Sequence, residues 1–215
     1  MPDVTDTATL NRSEQKRRAI LAAGHELFLK QGYQGTTVDQ IAAKAQVSKQ
    51  TVYKQFGDKE ELVFDIVSAV LENAAAPVLE RIAALAETTD LEGDLAELAV
   101  EYLHTVLAEP VTQLRRLVIA EAGRLPRLAE MYYRRAPATT LEALAGTFGR
   151  LNDRGLLRGT DPSMAADHFA FLVVGRPIDQ ALFFGGTRAK ADIDPAHYAR
   201  HAVEVFLAAY RPTVY

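Results

Sequence analysis

Polar side chains able to form hydrogen bonds are concentrated in one short segment of the N-terminal part of the chain. Val52 and Phe56 are four residues apart, which predicts a short helix that buries both side chains. A short helix with hydrogen-bonding side chains near its N-terminus is what insertion into the major groove of DNA requires. Lysine and glutamine can bond base edges, whereas threonine and tyrosine hydroxyls suit phosphate oxygens. The exposed residues of this helix are expected to be Lys49, Gln50, Thr51, Tyr53, Lys54 and Gln55.

Helix-start signals on both sides of this segment predict a compact helical unit. Thr37 and Gln40 have the spacing of a capping box, Ser48 is the N-cap candidate of the polar helix, and Asp58 is that of a third helix. Gly57 is the expected end of the polar helix. Helices this short do not stand alone in water, so they must pack on each other and on the helix before them.

The preceding helix is expected to begin at Ser13 and to reach about Gln31, with Gly32 as its stop. Residues 1–12 are polar and lack periodicity, which predicts a flexible arm. The expected domains are therefore the arm at 1–12, a helix-turn-helix DNA-binding domain at 13–60, and a helical effector-binding and dimerisation domain at 61–215.

Charge is unevenly distributed along the chain. The net charge is −4, yet residues 1–59 hold nine basic and six acidic residues, for a net charge of +3, and the remainder carries −7. A basic head on an acidic body suits a protein that docks on phosphates with one end. The free N–H groups at the helix starts near Thr37 and Lys59 would attract phosphate as well. Chance clustering of charge is the alternative interpretation.

The rest of the chain has helical periodicity and no strand-like alternation, so an all-α fold is expected. Pro77 and Pro137 are expected to bend or kink the helices that contain them, and Gly185-Gly186 is expected to be a loop. The predicted helices cover residues 59–86, 91–108, 111–123, 126–154, 162–184 with an interruption at 175–177, and 195–210.

Several functional classes lack the residues they need. The chain has no cysteine, and no hydrolase elbow, P-loop or dinucleotide fingerprint is present, so neither an enzyme nor a cofactor is predicted. His197, His201 and Glu204 have helical spacing that could serve a metal, but packing is the preferred interpretation and no metal site is predicted. No apolar run reaches the ~18 residues of a membrane span, and the first 12 residues lack the apolar region of a secretory signal. A cytoplasmic location is expected.

The body offers candidates for a ligand cavity and for a dimer interface, although each could instead be core. Tyr102, Phe148, Phe171 and Arg176 could line a cavity. An arginine-rich region could bind an anionic effector, or it could be a solvated helix face; its members are Arg115, Arg116, Arg124, Arg127, Arg134 and Arg135. A four-helix dimer seam could use Phe169, Val173, Ile178, Ala181, Phe184, Val203, Phe206 and Tyr210.

The segment from Gly32 to Leu62 resembles the helix-turn-helix of the TetR family. One departure is Gln46, at a turn position where that family often has glycine, and a left-handed backbone is expected there. The stretches at residues 119–135 and 154–169 also resemble the C-terminal domain of an AefR-like subgroup. The matching positions of the helix-turn-helix are Gly32, Tyr33, Thr36, Thr37, Ile41, Ala42, Ala45, Val47, Ser48, Tyr53, Phe56, Lys59 and Leu62.

The resemblance implies an all-helical ligand-binding body, dimerisation through the last two long helices, and binding of the homodimer to a palindromic operator in double-stranded DNA. By family position Thr37, Lys49, Gln50, Thr51, Tyr53 and Lys59 are DNA contacts, with Tyr53 and Lys59 on phosphates. The family default is a repressor released by a small-molecule effector. Two alternatives stay open: an architectural DNA-binding protein without effector, and a helical ligand-binding or enzymatic protein with a vestigial head.

Overall fold

The computed structural model describes residues 4–159 and 161–212, with side chains from Arg12 onward. Within those ranges the protein is built from helices alone, which confirms the all-α prediction. The elements are α1 (Val4–Gly35), α2 (Val38–Lys44), α3 (Lys49–Phe56), α4 (Lys59–Leu85), α5 (Leu91–Val106), α6 (Glu109–Glu121), α7 (Pro126–Tyr133), a π-helical segment (Arg134–Ala138), α8 (Thr139–Asp153), α9 (Pro162–Phe184), α10 (Gly186–Ala191) and α11 (Pro195–Tyr210).

The first helix begins earlier than predicted. It starts at Val4, so residues 4–12, expected as an arm, are helical, and only residues 1–3 of that arm lie outside the described ranges. Ser13 does not cap a helix, and its Oγ accepts a hydrogen bond from Gln55 Nε2 at 3.0 Å. The expected stop at Gly32 is a kink, with φ +72° and ψ 172°, after which one further turn reaches Gly35. A glycine adopts this backbone without the Cβ clash that other residues meet.

The caps around the polar helix are those that the sequence predicts. The Thr37 hydroxyl accepts from the backbone N–H of Gln40 at 3.2 Å, and the Gln40 side chain accepts from the Thr37 N–H at 2.8 Å. Ser48 caps α3 and Asp58 caps α4 through equivalent bonds to the third residue of each helix. Gln46 has φ +55°, so the left-handed turn is present without a glycine.

The body departs from prediction mainly at prolines and glycines. The helix predicted to begin at residue 111 begins at Glu109 instead. Pro110 therefore lies in the first turn of α6, where a residue without an N–H group is tolerated. Pro137 lies within the π-helical segment between α7 and α8. Helix α9 continues through residues 175–177, where an interruption was expected, and Pro177 is buried inside it. The residues after Gly185 form the short helix α10 rather than a loop.

Two clusters of buried side chains hold these helices together. The body core joins the C-terminal half of α4 with α5, α8, α9 and α11, and contains Phe148, Phe169 and Phe206. The head core joins α1–α3 with the N-terminal half of α4, and it also includes Leu114, Val118, Leu125, Leu128 and Tyr132 from α6, α7 and the turn between them. The head is therefore packed onto α6 and α7.

Helix α4 is long and apolar enough to cross a membrane by length and composition. Its buried residues run from Leu62 to Leu85 and are divided between the two cores, so α4 is the central packing helix of the fold.

Candidate nucleic-acid interface and ligand cavity

Helix α3 presents a polar face because two apolar side chains anchor its other face. Val52 is 1% exposed and Phe56 6% exposed in the head core. Opposite them Lys49, Gln50 and Lys54 are exposed, and Tyr53 is 44% exposed. The structure therefore places four of the predicted contacts on one accessible helix, which has the length and polarity suited to a major groove.

Five predicted contact residues already have partners within the head, and three of them are uncharged. Thr51 Oγ1 lies 2.8 Å from Ser48 Oγ, and Gln55 donates to Ser13 on α1. Both side chains are half-buried, so their first role is to hold α3 in place. Thr37, by contrast, is exposed at the start of α2 with its hydroxyl engaged in the capping box.

Lys49 forms an ion pair that sequence reasoning missed. Its Nζ donates to Asp39 Oδ2 of α2 at 3.0 Å, and both side chains are exposed. The hydrogen bond to Asp39 raises the pKa of Lys49. An acidic side chain thus lies on the expected DNA-facing side and competes with bases and phosphates for this ammonium group.

Lys59 fastens the end of α1 to the start of α4. Its Nζ donates to the carbonyls of Tyr33 at 2.9 Å and Thr36 at 3.0 Å, and lies 4.0 Å from the centroid of the Tyr33 ring. Burial lowers the pKa of Lys59, and the carboxylate of Glu121 acts in the opposite direction. The ammonium group is therefore already used in positioning the head, which the family position alone does not reveal.

Helices α6 and α7 bring charged groups against the start of α4. Glu121, at the end of α6, is only 8% exposed and carries a carboxylate 3.7 Å from Arg124. Arg127 of α7 lies over the Phe64 ring at 5.3 Å and 3.8 Å from Glu61. The head and the body thus meet through side chains that sequence periodicity cannot pair.

A cavity of about 400 Å³ lies on the other side of α6 and α7, against α5, α8 and α9. This volume falls within the range of small-molecule sites, and its walls are mostly apolar and aromatic, as such sites require. The lining residues are Tyr102, Arg115, Val118, Ile119, Ala122, Ala129, Tyr132, Tyr133, Pro137, Leu141, Ala170, Phe171, Val174, Gly175, Ile178 and Leu182.

Two of the four predicted cavity residues line this cavity, and two do not. Tyr102 and Phe171 are in its wall. Phe148 is instead fully buried in the body core, with its ring centroid 5.7 Å from that of Phe169 and 5.3 Å from that of Phe206. Arg176 is exposed and is absent from the cavity wall. The prediction failed for these two because helical periodicity does not tell core from cavity.

The polar groups of the cavity converge at one point. Arg115 Nε donates to Tyr132 Oη at 3.0 Å. Burial raises the pKa of the Tyr102 hydroxyl, while the nearby Arg115 guanidinium acts in the opposite direction. A second space of about 40 Å³ shares Tyr102, Arg115 and Tyr132 with the main cavity and reaches α4 at Leu71. These polar groups therefore lie between the main cavity and α4.

The predicted dimer residues are mostly core residues of a single protomer. Ile178 lines the cavity and Phe184 is 57% exposed, but the other six are buried within the chain itself: Phe169, Val173, Ala181, Val203, Phe206 and Tyr210. A side chain already buried in its own protomer cannot supply a free surface. The prediction selected the apolar residues of α9 and α11 that face the core of the same protomer. Their helical spacing is the same as that of residues in a dimer interface, so spacing alone does not separate the two.

The outer faces of α9 and α11 nevertheless carry several exposed apolar side chains. Met164 and Phe171 of α9 are exposed, the latter at 71%, and Val205 of α11 is exposed beside them. A shallow groove joins the two helices along His168, Phe171, Leu172, Val205 and Ala209, together with the edges of Phe206 and Tyr210. Nearby on α11, the His197 and His201 rings stack at 6.3 Å, and His201 Nδ1 lies 3.0 Å from Glu204.

Two protein-family models match this sequence. The model of the AefR-like transcriptional repressor C-terminal domain matches residues 93–212, which is more than half of the chain. The chain belongs to the TetR family. The model of the bacterial regulatory proteins of the tetR family matches residues 20–66. In this TetR-family regulator that range contains α2 and α3 together with the C-terminal part of α1 and the first two turns of α4.

Solved structures extend the likeness to nearly the whole TetR-family chain. A TetR-family transcriptional regulator from Mesorhizobium loti is 36% identical, with a TM-score of 0.85 over 94% of this chain and 99% of the other. The flavonoid-responsive regulator FrrA is 28% identical, with a TM-score of 0.75 over 94% of this chain and 100% of the other. This protein is accordingly a TetR-family transcriptional regulator, and repression and ligand response are typical of that family.

Among curated relatives, the HTH-type transcriptional regulator HbdR of Aromatoleum sp. (strain CIB) is 38% identical over 72 residues. That match spans 34% of this chain and 31% of HbdR, so it concerns about a third of each protein.

Proposed function

We propose that this TetR-family regulator is a cytoplasmic repressor, which binds a palindromic operator as a homodimer and leaves it when a small molecule fills the cavity. One observation carries the proposal: Val118 and Tyr132 line the cavity and also belong to the core that holds the DNA-binding head. A ligand that displaces either side chain therefore acts directly on the packing of the head.

The DNA-binding part of the proposal rests on the exposed face of α3. Lys49 and Gln50, at the start of the helix, are proposed to read base edges, because their flexible donors reach deepest when a helix enters the groove N-terminus first. Tyr53 is proposed to bond a phosphate oxygen. Lys54 and Gln55 are proposed as secondary contacts.

The dimer is proposed to form through the outer faces of α9 and α11. Exposed apolar side chains such as Met164, Phe171 and Val205 favour burial against an identical surface. Two-fold symmetry would place two α3 helices so that they enter successive major grooves about 34 Å apart. Since Phe171 lines both the cavity and this face, a partner protomer would lie close to the bound ligand.

Ligand coupling is proposed to run through α6 and α7. Movement of these helices would shift Glu121 relative to Lys59 and Arg127 relative to Glu61, and so change the orientation of α4 and the separation of the two heads. A ligand weakens operator binding only to the extent that it prefers the altered arrangement.

Selection of duplex DNA from a random pool, at near-physiological salt, tests the proposal. Recovery of a palindrome with two half-sites supports a sequence-specific dimer. Recovery of no enriched sequence, with binding that falls steeply as salt increases, would point to an architectural protein instead. A matched pair of variants sharpens the result, because Gln50→Ala should alter the preferred sequence whereas Gln34→Ala, outside α3, should not.

A further inference from the structure

The cavity has a single charged side chain in its wall. Among the described residues that line it, Arg115 is the only one with a formal charge, and the others are apolar, aromatic or glycine. Arg115 projects from α6 and is half-buried. A guanidinium group placed against apolar walls loses part of its hydration, so it favours an anionic partner.

Arg115 differs in its partners from four other arginines of the arginine-rich region. In the described part of the chain no carboxylate lies within 4.0 Å of Arg115, and its recorded bond uses Nε alone, toward Tyr132 Oη. By contrast each of Arg124, Arg127, Arg134 and Arg135 lies within 4.0 Å of a glutamate carboxylate. The arginine-rich region is thus mostly satisfied by glutamates, and Arg115 keeps terminal donors that can face the cavity.

The aromatic side chains of the cavity indicate which uncharged part of a ligand would fit it. Tyr102, Tyr132, Tyr133 and Phe171 give it four aromatic walls, which favour the flat faces of an aromatic ring. Tyr102 also lines the cavity, and its phenolic O–H can donate a hydrogen bond to an anion held by Arg115. A lone arginine balances one negative charge, so a monoanion fits better than a phosphate dianion.

We propose that the cavity binds aromatic monocarboxylates, with the carboxylate on Arg115 and the ring system between the aromatic walls. This inference rests on the proposed function, because it names the chemical class of the ligand for that same cavity. A carboxylate can accept two parallel bonds from a guanidinium group, which gives orientation as well as affinity.

Calorimetric titration of the full-length protein with three acid–amide pairs tests the inference. The acids are benzoate, 2-naphthoate and biphenyl-4-carboxylate, and each amide has the same ring system without the charge. We expect at least one acid to bind about tenfold or more tightly than its amide, since a hydrogen bond in which both partners are charged is stronger than one to a neutral amide. If no acid binds, or none binds more tightly than its amide, the inference is wrong.

Variants of adjacent residues then assign the preference to one side chain. Arg115→Met keeps an apolar stem and should abolish the preference for acid over amide, whereas Arg116→Met, at the next and exposed position of α6, should leave it unchanged. A preference that survives Arg115→Met in a protein that is folded by circular dichroism overturns the assignment.

Operator binding is measured separately, so the two proposals can fail independently. If an acid binds through Arg115 but leaves operator affinity unchanged, the ligand class stands and ligand-controlled release fails. If a neutral aromatic compound releases the operator while the acids do not bind, release stands and the ligand class fails.

Discussion

The two cores of the protein differ in what they contain. The body core is built from helices of the body alone, whereas the head core takes Leu114, Val118 and Tyr132 from outside the helix-turn-helix. The DNA-binding head is therefore completed by α6 and α7, and the cavity lies where those helices face the body. The comparison teaches that the cavity wall and the head core share the side chains of Val118 and Tyr132, whereas the body core can pack without the head.

The largest expected effect tests whether the cores unfold together. Phe148→Ala removes a fully buried ring from the body core and should lower the free energy of unfolding by about 3–5 kcal/mol. Because α4, α6 and α7 belong to or adjoin both cores, urea denaturation followed by circular dichroism should show a single transition. The matched control is Phe183→Ala, at a ring that is 71% exposed, which should change stability by less than about 0.5 kcal/mol. Two separated transitions would mean that the head is an independent unit.

A glycine at the junction of α9 and α10 provides a second test of the body. A Cβ on Gly186 would collide with the Leu107 carbonyl and lie 2.7 Å from Thr112 Oγ1, so Gly186→Ala should cost about 1–3 kcal/mol. Gly146→Ala is the control, since a Cβ on that residue of α8 meets no atom within 4 Å and alanine favours a helix. Thermal unfolding should show the first variant destabilised and the second unchanged or stabilised; equal effects would contradict the packing account.

A third test concerns specificity in the head. Gln50→Ala should reduce discrimination between the selected operator and a mismatched one by about 1–3 kcal/mol, because a base-edge contact is lost. Tyr53→Phe should weaken binding to both DNAs alike, since a phosphate contact carries no sequence information. Fluorescence anisotropy with the two duplexes separates these outcomes, and an unchanged ratio for Gln50→Ala would remove Gln50 from the base-reading set.

The smallest expected effect concerns the acidic residue beside Lys49. Asp39→Asn should tighten DNA binding by a few-fold at most, because it releases the lysine and removes a negative charge from the binding face. Glu26→Gln removes a charge from the exposed pair with Lys44 and serves as the control for net charge. If both variants tighten binding equally at low and moderate salt, Asp39 has no local role.

Sequence patterns predicted the head more completely than the body. The caps at Thr37, Ser48 and Asp58 depend on bonds that reach only three residues along the chain, and the structure has all of them. The predicted helix start at Ser13 was wrong because α1 is already helical from Val4, and the Ser13 hydroxyl accepts a hydrogen bond from Gln55, 42 positions further along the chain. Lys59 and Glu121 were likewise beyond local reasoning, since their partners come from other helices.

The amino-acid sequence by itself determined most of the helices, the anchored polar face of α3 and the basic character of the head, because spacing, caps and composition act locally. Only the tertiary structure decided which apolar stripes of α9 and α11 are core, such as Val173 and Val203, and which are surface. It also distinguished Arg115 from four neighbouring arginines with glutamate partners. Burial and ion pairing depend on which helices meet, and periodicity along one helix carries no information about its neighbours.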